Sequence, residues 1–581
     1  MSKIKIKIIS IIAIVIIMAI AAFFRVWQLD KIPPGIYPDE AMNGTNALDA
    51  VRDNQFKVYY PENNGREGLL INLLALTFKY GHLGPTAVAL RIWSVIFGTL
   101  TILGLYLLVK ELFYQPAILT PESNKKNRWL SLPECLALTS AFLLAISFWH
   151  VNFSRISFRA ILTSFLMVFC FYFLWRYFRR GKILSLILSG IFFGLGFYTY
   201  IAFRVVPALI IIAWLPHLWQ WWKCHRKNQY CCSPETKQYC QPIKWQHLII
   251  YALVIIIVIT PIARFFITHP EQFMGRASDV AVWKTVNPVK DSVLSVVKTL
   301  GMFNIRGDCN WRHNYACQPQ LLWPEGIFFL VGLVLIIRNI ILGVKKKERQ
   351  LFPNFHVSIF ILGWFVFMLL PATLTAQGLP HALRALGVVP IIYILTALGL
   401  IMPYTWAQNK LSAIINVSQI GLKNQPIGQI KRIKIFLAIL LILILIVLGV
   451  YQYQKYFVNW ANNPNVAGAF TQSYVQMGQF LNFYADKNIP RYVIVNENGA
   501  LVDGVPVSAQ TIKYITYDKG QITYLLPSQL DKIQVSKDKK VNALIVLMQD
   551  DPSLLKEIQQ QFPKNITGST TSFGEFRFIS I

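Results

Sequence analysis

The chain has 581 residues, 55% of them hydrophobic and 14% charged, with a formal net charge of +29. An apolar share so far above the soluble norm, set out in long uncharged runs, excludes an ordinary soluble domain. The placement of the charge excludes nucleic-acid binding: Lys and Arg gather between apolar runs, at Lys3/Lys5/Lys7, Lys125/Lys126/Arg128, Arg176/Arg179/Arg180/Lys182, Lys223/Arg226/Lys227, Lys345/Lys346/Lys347/Arg349 and Lys431/Arg432/Lys434, as cytoplasmic loops against anionic lipid do.

The first apolar run, Ile8 to Phe24, is followed by Phe23-Phe24-Arg25-Val26-Trp27 and no small-residue cleavage site, so it predicts an uncleaved first span. At roughly 20 residues per crossing, hydropathy predicts eleven spans, at about 8–24, 88–109, 133–150, 159–178, 184–200, 205–222, 246–267, 325–343, 356–375, 385–404 and 434–452. Gly68 to Tyr80 is apolar but short, and reads as an interfacial or re-entrant helix. With the N-terminus cytoplasmic, every basic cluster falls inside. The outside receives residues 25–87, the Val151–Phe158 and Tyr200–Arg204 turns, the loop 268–324, the Ala376–Arg384 turn and the tail from Gln454. The expected location is the cell (inner or plasma) membrane.

The tail changes composition. Arg491-Tyr-Val-Ile-Val495 and Ala543-Leu-Ile-Val-Leu547 read as buried strands, and Phe470 to Tyr484 and Pro552 to Phe562 as amphipathic helices. The predicted organisation is a transmembrane body, 1–453, and a small extracytoplasmic α/β domain, 454–581. No Gly-rich phosphate loop follows a strand, which argues against a nucleotide-driven pump.

Cys135 and Cys170 lie in spans and read as small apolar fillers. Cys224, Cys231, Cys232 and Cys240 share a cytoplasmic loop with His225, but no C-x-x-C pair occurs among them. Cys309 and Cys317 are both external, where a disulfide is chemically permitted.

Chemistry concentrates on the outer face. Asp39 and Glu40 stand in Ile32-Pro-Pro-Gly-Ile-Tyr-Pro-Asp-Glu-Ala-Met-Asn43. Adjacent acids point in different directions, so one can act as a general base while the other holds the scaffold; capping a juxtamembrane helix is the competing role. His150, Arg155, Arg159, Tyr198, Tyr200, Arg204, His381 and Arg384 sit at span ends on that face. Singly each reads as an interface anchor; together the cations suit a phosphate-bearing lipid headgroup. Gly307-Asp308-Cys-Asn310-Trp311-Arg312-His313-Asn314 is the densest polar run, where Asp308 and His313 could ligate a metal and Trp311 could stack on a sugar. Arg66 and Glu67, before the interfacial helix, either pair with each other or face the site.

These residues carry a resemblance. Tyr37-Pro38-Asp39-Glu40-Ala41, Gly65-Arg66-Glu67-Gly68, Gly307-Asp308 through Trp311-Arg312-His313-Asn314, and His381-Ala382-Leu383-Arg384 follow in the order seen in GT-C membrane glycosyltransferases. The chain is most similar to the bacterial protein O-mannosyltransferase-like and aminoarabinose-transferase-like branch. The resemblance covers residues 1–400 and not the tail. It implies a GT-C-like body of about eleven helices and an inverting, metal-independent transfer from a polyprenyl-phosphate sugar donor, with no cofactor. Asp39, with Glu40 beside it, would be the catalytic acid pair, Asp39 taking the acceptor proton. Arg155, Arg159, Arg204, Arg384 and His381 would hold the donor phosphate. Arg66, Glu67, Tyr200, Asp308, Trp311, Arg312 and His313 would bind substrate. A divalent cation shared by Asp39, Glu40 and Asp308 stays open. The acceptor would be an extracytoplasmic lipid, glycan or protein, although the tail lacks the β-trefoil-like pattern of eukaryotic relatives. No second acid is found in the turn His150-Val-Asn-Phe-Ser-Arg155, where some relatives keep one. The main rival is a transporter or flippase of lipid-linked sugars. Transporters place ionisable residues at the bilayer midplane, whereas here the spans are nearly free of acids.

Overall fold

Runs of Ile, Leu and Phe without polar partners can satisfy their backbone in lipid only as helices, and the computed structural model is predominantly helical. It describes residues 3–114, 131–227, 244–345, 352, 354–419, 427–485, 489–535, 543–570 and 572–581. Cys231, Cys232 and Cys240 lie outside the described residues. Among those described, nine helices are long and apolar enough to cross a membrane, or ten if Leu132–Ile146 and Phe148–Ser154, bent by 61°, form one span. The remaining expected span, 184–200, is the 14-residue helix Ile183–Gly196, about 21 Å long against a hydrocarbon core of about 30 Å. A one-turn 3-10 segment, Ile201–Val205, follows it. The expected interfacial segment is the helix Leu69–Gly81.

Two helices form the centre. The spans Leu386–Ser412 and Ala160–Arg180 bury 89% and 78% of their most apolar window, against 11% for Trp245–Thr268 and 6% for Gly428–Trp460 at the periphery. The helix Trp323–Val344 reaches the centre by backbone contact. A Cβ on Gly332 would stand 1.9 Å from the Leu395 carbonyl oxygen, and one on Gly399 would stand 1.8 Å from that of Phe328. Only glycine allows this approach.

One end of the bundle gathers the polar connections. Ser147 breaks the bent pair and caps the second helix by accepting from the His150 amide. The bend is tied to the end of the first span. Arg25 donates to the carbonyls of Ala21 and Ala145 at 2.9 and 3.0 Å and meets His150 Nδ1 at 2.8 Å.

The tail sits on the same end. After β1 (Tyr59–Tyr60) and β2 (Arg66–Glu67) near the start of the chain, the tail's strands are β3 (Arg491–Ile494), the small pair β4 (Leu501–Val502) and β5 (Val505–Pro506), then β6 (Ile522–Leu525), β7 (Leu544–Leu547), β8 (Ile566–Thr570) and β9 (Phe576–Ser580), with a five-stranded sheet in the order β6-β3-β7-β9-β8. β3 runs parallel to β6 and β7, and β9 antiparallel to β7 and β8. Apolar clusters cover both faces, Val493 and Val546 on one and Ile494 and Ile545 on the other. The hydroxyls of Thr471 and Thr511 both donate to the Ile36 carbonyl at 2.8 Å. Tyr514 donates to the Thr86 carbonyl at 3.0 Å, and Tyr517 to Asp49 at 2.9 Å. The tail is thereby bonded to the loop and helix that carry Asp39.

Candidate active site

The helix Pro38–Arg52 opens with Pro38 in its first turn and places Asp39 and Glu40 beside it, where proline and acids suit a helix N-terminus. A helical step of 100° sends the two acids apart. Glu40 points inward and is fully buried. Its Oε1 accepts from Arg91 Nε at 3.2 Å and from the Ser157 amide at 3.0 Å. Arg91 in turn donates to the carbonyls of Leu29, Pro33 and Gly35 at 3.1, 3.0 and 2.6 Å. Glu40 therefore holds the loop's shape and is a positioning residue. Asp39 points outward, half-buried, with Asn63 Nδ2 donating to its Oδ1 at 2.8 Å.

Asn63 belongs to the turn between β1 (Tyr59–Tyr60) and β2 (Arg66–Glu67), which pair antiparallel. Asn63 and Asn64 are left-handed, at φ 51° and 62°, a region asparagine tolerates. Strand alternation then turns Arg66 and Glu67 to opposite sides. Arg66 faces the Pro38–Arg52 helix and donates to Asn43 Oδ1 at 2.9 Å and to Asn46. Burial, and then the nearby Arg159 charge, lower the Arg66 guanidinium to about 10, so it remains cationic at neutral pH. Glu67 faces a pocket of ≈ 300 Å³, open solvent included, lined also by Tyr59, Asn64, Gly65, Arg159, Tyr200, Ile201, Arg204 and Gln272. Arg159 pairs with Glu67 Oε2, and Arg204 lies 3.9 Å from Oε1. Two guanidinium groups share one carboxylate, which leaves the pocket net positive.

On the other side of Asp39, the Arg312 guanidinium lies 3.7 Å above the Tyr37 ring. Burial, and then Asp39, push the Tyr37 hydroxyl up, so it is a neutral donor at pH 7. The loop behind Arg312 is closed by a Cys309–Cys317 disulfide. Asp308 is buried and locked: its Oδ2 accepts from the Ala382 amide at 2.8 Å and meets His313 Nδ1 at 2.9 Å, and its Oδ1 accepts from the Asn310 amide at 2.8 Å. The Trp311 carbonyl accepts from Trp460 at 3.0 Å, and its ring centre is 5.3 Å from that of Tyr315.

The arrangement sorts the expected residues. Asp39, Arg66, Glu67, Arg159, Tyr200 and Arg204 come together around the 63–67 turn, and Arg312 lies over Tyr37. Arg155 does not join them. It is fully buried, and it donates to the carbonyls of Phe24, Trp27 and Ile32 at 3.1, 2.7 and 2.9 Å. Three of its donors are thereby directed at the chain at and just beyond the end of the first span, so the expected phosphate ligand is instead a clamp there. Arg384 bonds Thr375 Oγ1 at 2.7 Å and the Gln377 carbonyl at 2.9 Å within its own turn. Among the described residues, the group that could hold a metal ion is Asp308, His313 and His381, with ligand atoms within 4.8 Å of one another; Asp39 and Glu40 are not in it. Asn63, Tyr37 and Arg91 were not expected. Arg91 did carry a signal, as the one arginine inside the apolar run 88–109, since a charge at that depth needs a partner.

Comparison with known proteins agrees with this architecture. The family model for dolichyl-phosphate-mannose-protein mannosyltransferases matches residues 126–270. The crystal structure of apo ArnT from Cupriavidus metallidurans is 11% identical, covers 98% of this chain and 97% of its own, and superposes with a TM-score of 0.51. The Archaeoglobus fulgidus oligosaccharyltransferase tethered to an acceptor peptide is 13% identical and covers 96% of this chain and 69% of its own, with a TM-score of 0.49. None of the curated proteins compared matches the chain. The chain has the fold of the GT-C membrane glycosyltransferases.

Proposed function

We propose that the protein transfers a sugar from a polyprenyl-phosphate donor to an acceptor hydroxyl, with inversion and with Asp39 as general base. One observation carries the reading: the turn that holds Asp39 through Asn63 also lines, through Asn64, Gly65 and Glu67, a pocket with Arg159 and Arg204. A base and a phosphate-binding group thus share one short segment. The acceptor oxygen forms a bond to the anomeric carbon as the bond from that carbon to the phosphate oxygen breaks. The electron pair leaves on the phosphate, and Asp39 takes the acceptor proton. Arg159 and Arg204 stabilise the charge that develops on the phosphate, where preorganised cations act most strongly. Glu67 holds the two pocket arginines beside each other until phosphate arrives. In this proposal the positive charge comes from the side chains of Arg159 and Arg204.

The test is label transfer from a panel of polyprenyl-phosphate sugars to envelope glycans and lipids by the protein in nanodiscs. Transfer with at least one donor is expected, with the donor KM raised about tenfold or more by Arg204→Gln. Movement of the labelled lipid across the bilayer without transfer would make the protein a transporter.

A further inference from the structure

The loop 268–324 carries a helix, Pro288–Gly301, whose polar side faces the protein. Ser295 and Thr299 are fully buried. The apolar side faces away: Val289 is 79% and Val297 61% exposed, with Val293, Val296 and Leu300 exposed beside them. At 3.6 residues per turn these five fall on one stripe, roughly a third of the helix surface. Val286 before the helix and Ile305 after it are exposed too and extend the apolar row. Lys290 and Lys298, with Leu294 between them, take the remaining sector. A helix in water turns its apolar stripe to the core; this one turns it outward. Its height is fixed by the ends of two spans. Ser295 donates to the Thr375 carbonyl at 3.2 Å, just past the helix Phe355–Thr373. Ahead of it the Val282 amide donates to the Leu374 carbonyl at 3.1 Å, and the Ala376 amide to the Val280 carbonyl at 2.9 Å. Behind it the Gln320 and Leu321 amides donate to the Met302 and Phe303 carbonyls at 2.9 and 3.2 Å, and the span Trp323–Val344 follows. Exposed Trp283 and Trp323 stand at these two connections, and tryptophan favours the headgroup level.

We propose that Pro288–Gly301 lies in the plane of the bilayer interface, with its valine and leucine stripe among the acyl chains and Lys284, Lys290 and Lys298 at the headgroup phosphates. Three lysines against one acid, Asp291, between residues 284 and 301 give the charge that a phosphate layer attracts. The spans that bracket the helix expose apolar side chains of their own, Val366 and Ile327, for which lipid is the solvent. Residues 302–306 join the helix to Gly307 and Asp308, so this seat sets the height of the loop that carries Arg312. The inference does not depend on sugar transfer.

The test attaches a nitroxide, one site at a time, to Val293→Cys, Val297→Cys and Lys290→Cys in the full chain, keeping Cys309 and Cys317 alone of the native cysteines. The protein sits in nanodiscs of phosphatidylcholine and phosphatidylglycerol. Relaxation by dissolved oxygen, which concentrates among acyl chains, is compared with relaxation by a water-soluble nickel chelate. At 293 and 297 oxygen should act several-fold more strongly than the chelate, and at 290 the chelate should prevail. All three side chains are exposed, so a label displaces no packed group. Chelate access at 293 and 297 equal to that at 290 would put the stripe in water and overturn the proposal. Exclusion of both reagents there would overturn it as well, by showing a second copy or another protein over the stripe. Changing Lys284, Lys290 and Lys298 together to Glu should lower the oxygen preference at 293 about twofold or more; an unchanged ratio would overturn the headgroup contact.

Discussion

Glu40 and Arg91 are both inaccessible to solvent and pair at 3.2 Å. Removing one member of a buried ion pair leaves the other charge stranded, at a cost of about 3–5 kcal/mol. Glu40→Ala is therefore expected to lower the unfolding temperature sharply, and a wild-type melting curve would contradict its positioning role. Arg155 carries the contrasting lesson. Its position at a span end was legible in the sequence, but the three carbonyls that bind it come from residues about 130 positions away, and no local pattern announces them.

Among the elements, the loop and the tail depend on two tight connections. Gly35 has φ +87°, and a Cβ there would stand 2.4 Å from the Phe470 carbonyl oxygen. Gly35→Ala meets both a strained backbone and a clash that no side chain can relieve. It should loosen the tail, seen as new protease cleavage near 461–471 with the spans intact; an unchanged digest would contradict the docking. The Cys309–Cys317 bridge closes an eight-residue loop, which contributes about 2–3 kcal/mol by chain entropy. Reduction should speed hydrogen exchange across 307–318, and unchanged exchange would show that Asp308's three hydrogen bonds suffice alone. Most elements were legible from periodicity: β3 and β7 fall within the expected strands, and the Gln472–Phe483 and Pro552–Gln561 helices within theirs. The span expected at 184–200 was longer than the helix that forms, because hydropathy extended it through Phe197 and Tyr198, which are apolar enough to count but lie in the turn before Ile201.

For the whole molecule, charge clusters and hydropathy sufficed to gather residues 25–87, 268–324, 376–384 and the tail on one face, and the contacts between them follow that grouping. The sequence did not disclose how the acids divide. That depends on Arg91, from the helix Ala87–Leu112, and Ser157, from the connection after Ser154, meeting Glu40, a long-range packing fact. The orientation predicts that a single cysteine at exposed Asp503 reacts with a membrane-impermeant thiol reagent in intact cells.

The central claim is that Asp39, alone of the acid pair, performs the chemistry. Its most direct test is label transfer by Asp39→Asn beside the wild type, in lipid, with and without chelator. A loss of about 10²–10⁴-fold with an unshifted melting temperature, and wild-type transfer that survives chelator, is the predicted result. Near-normal turnover by Asp39→Asn would contradict the account.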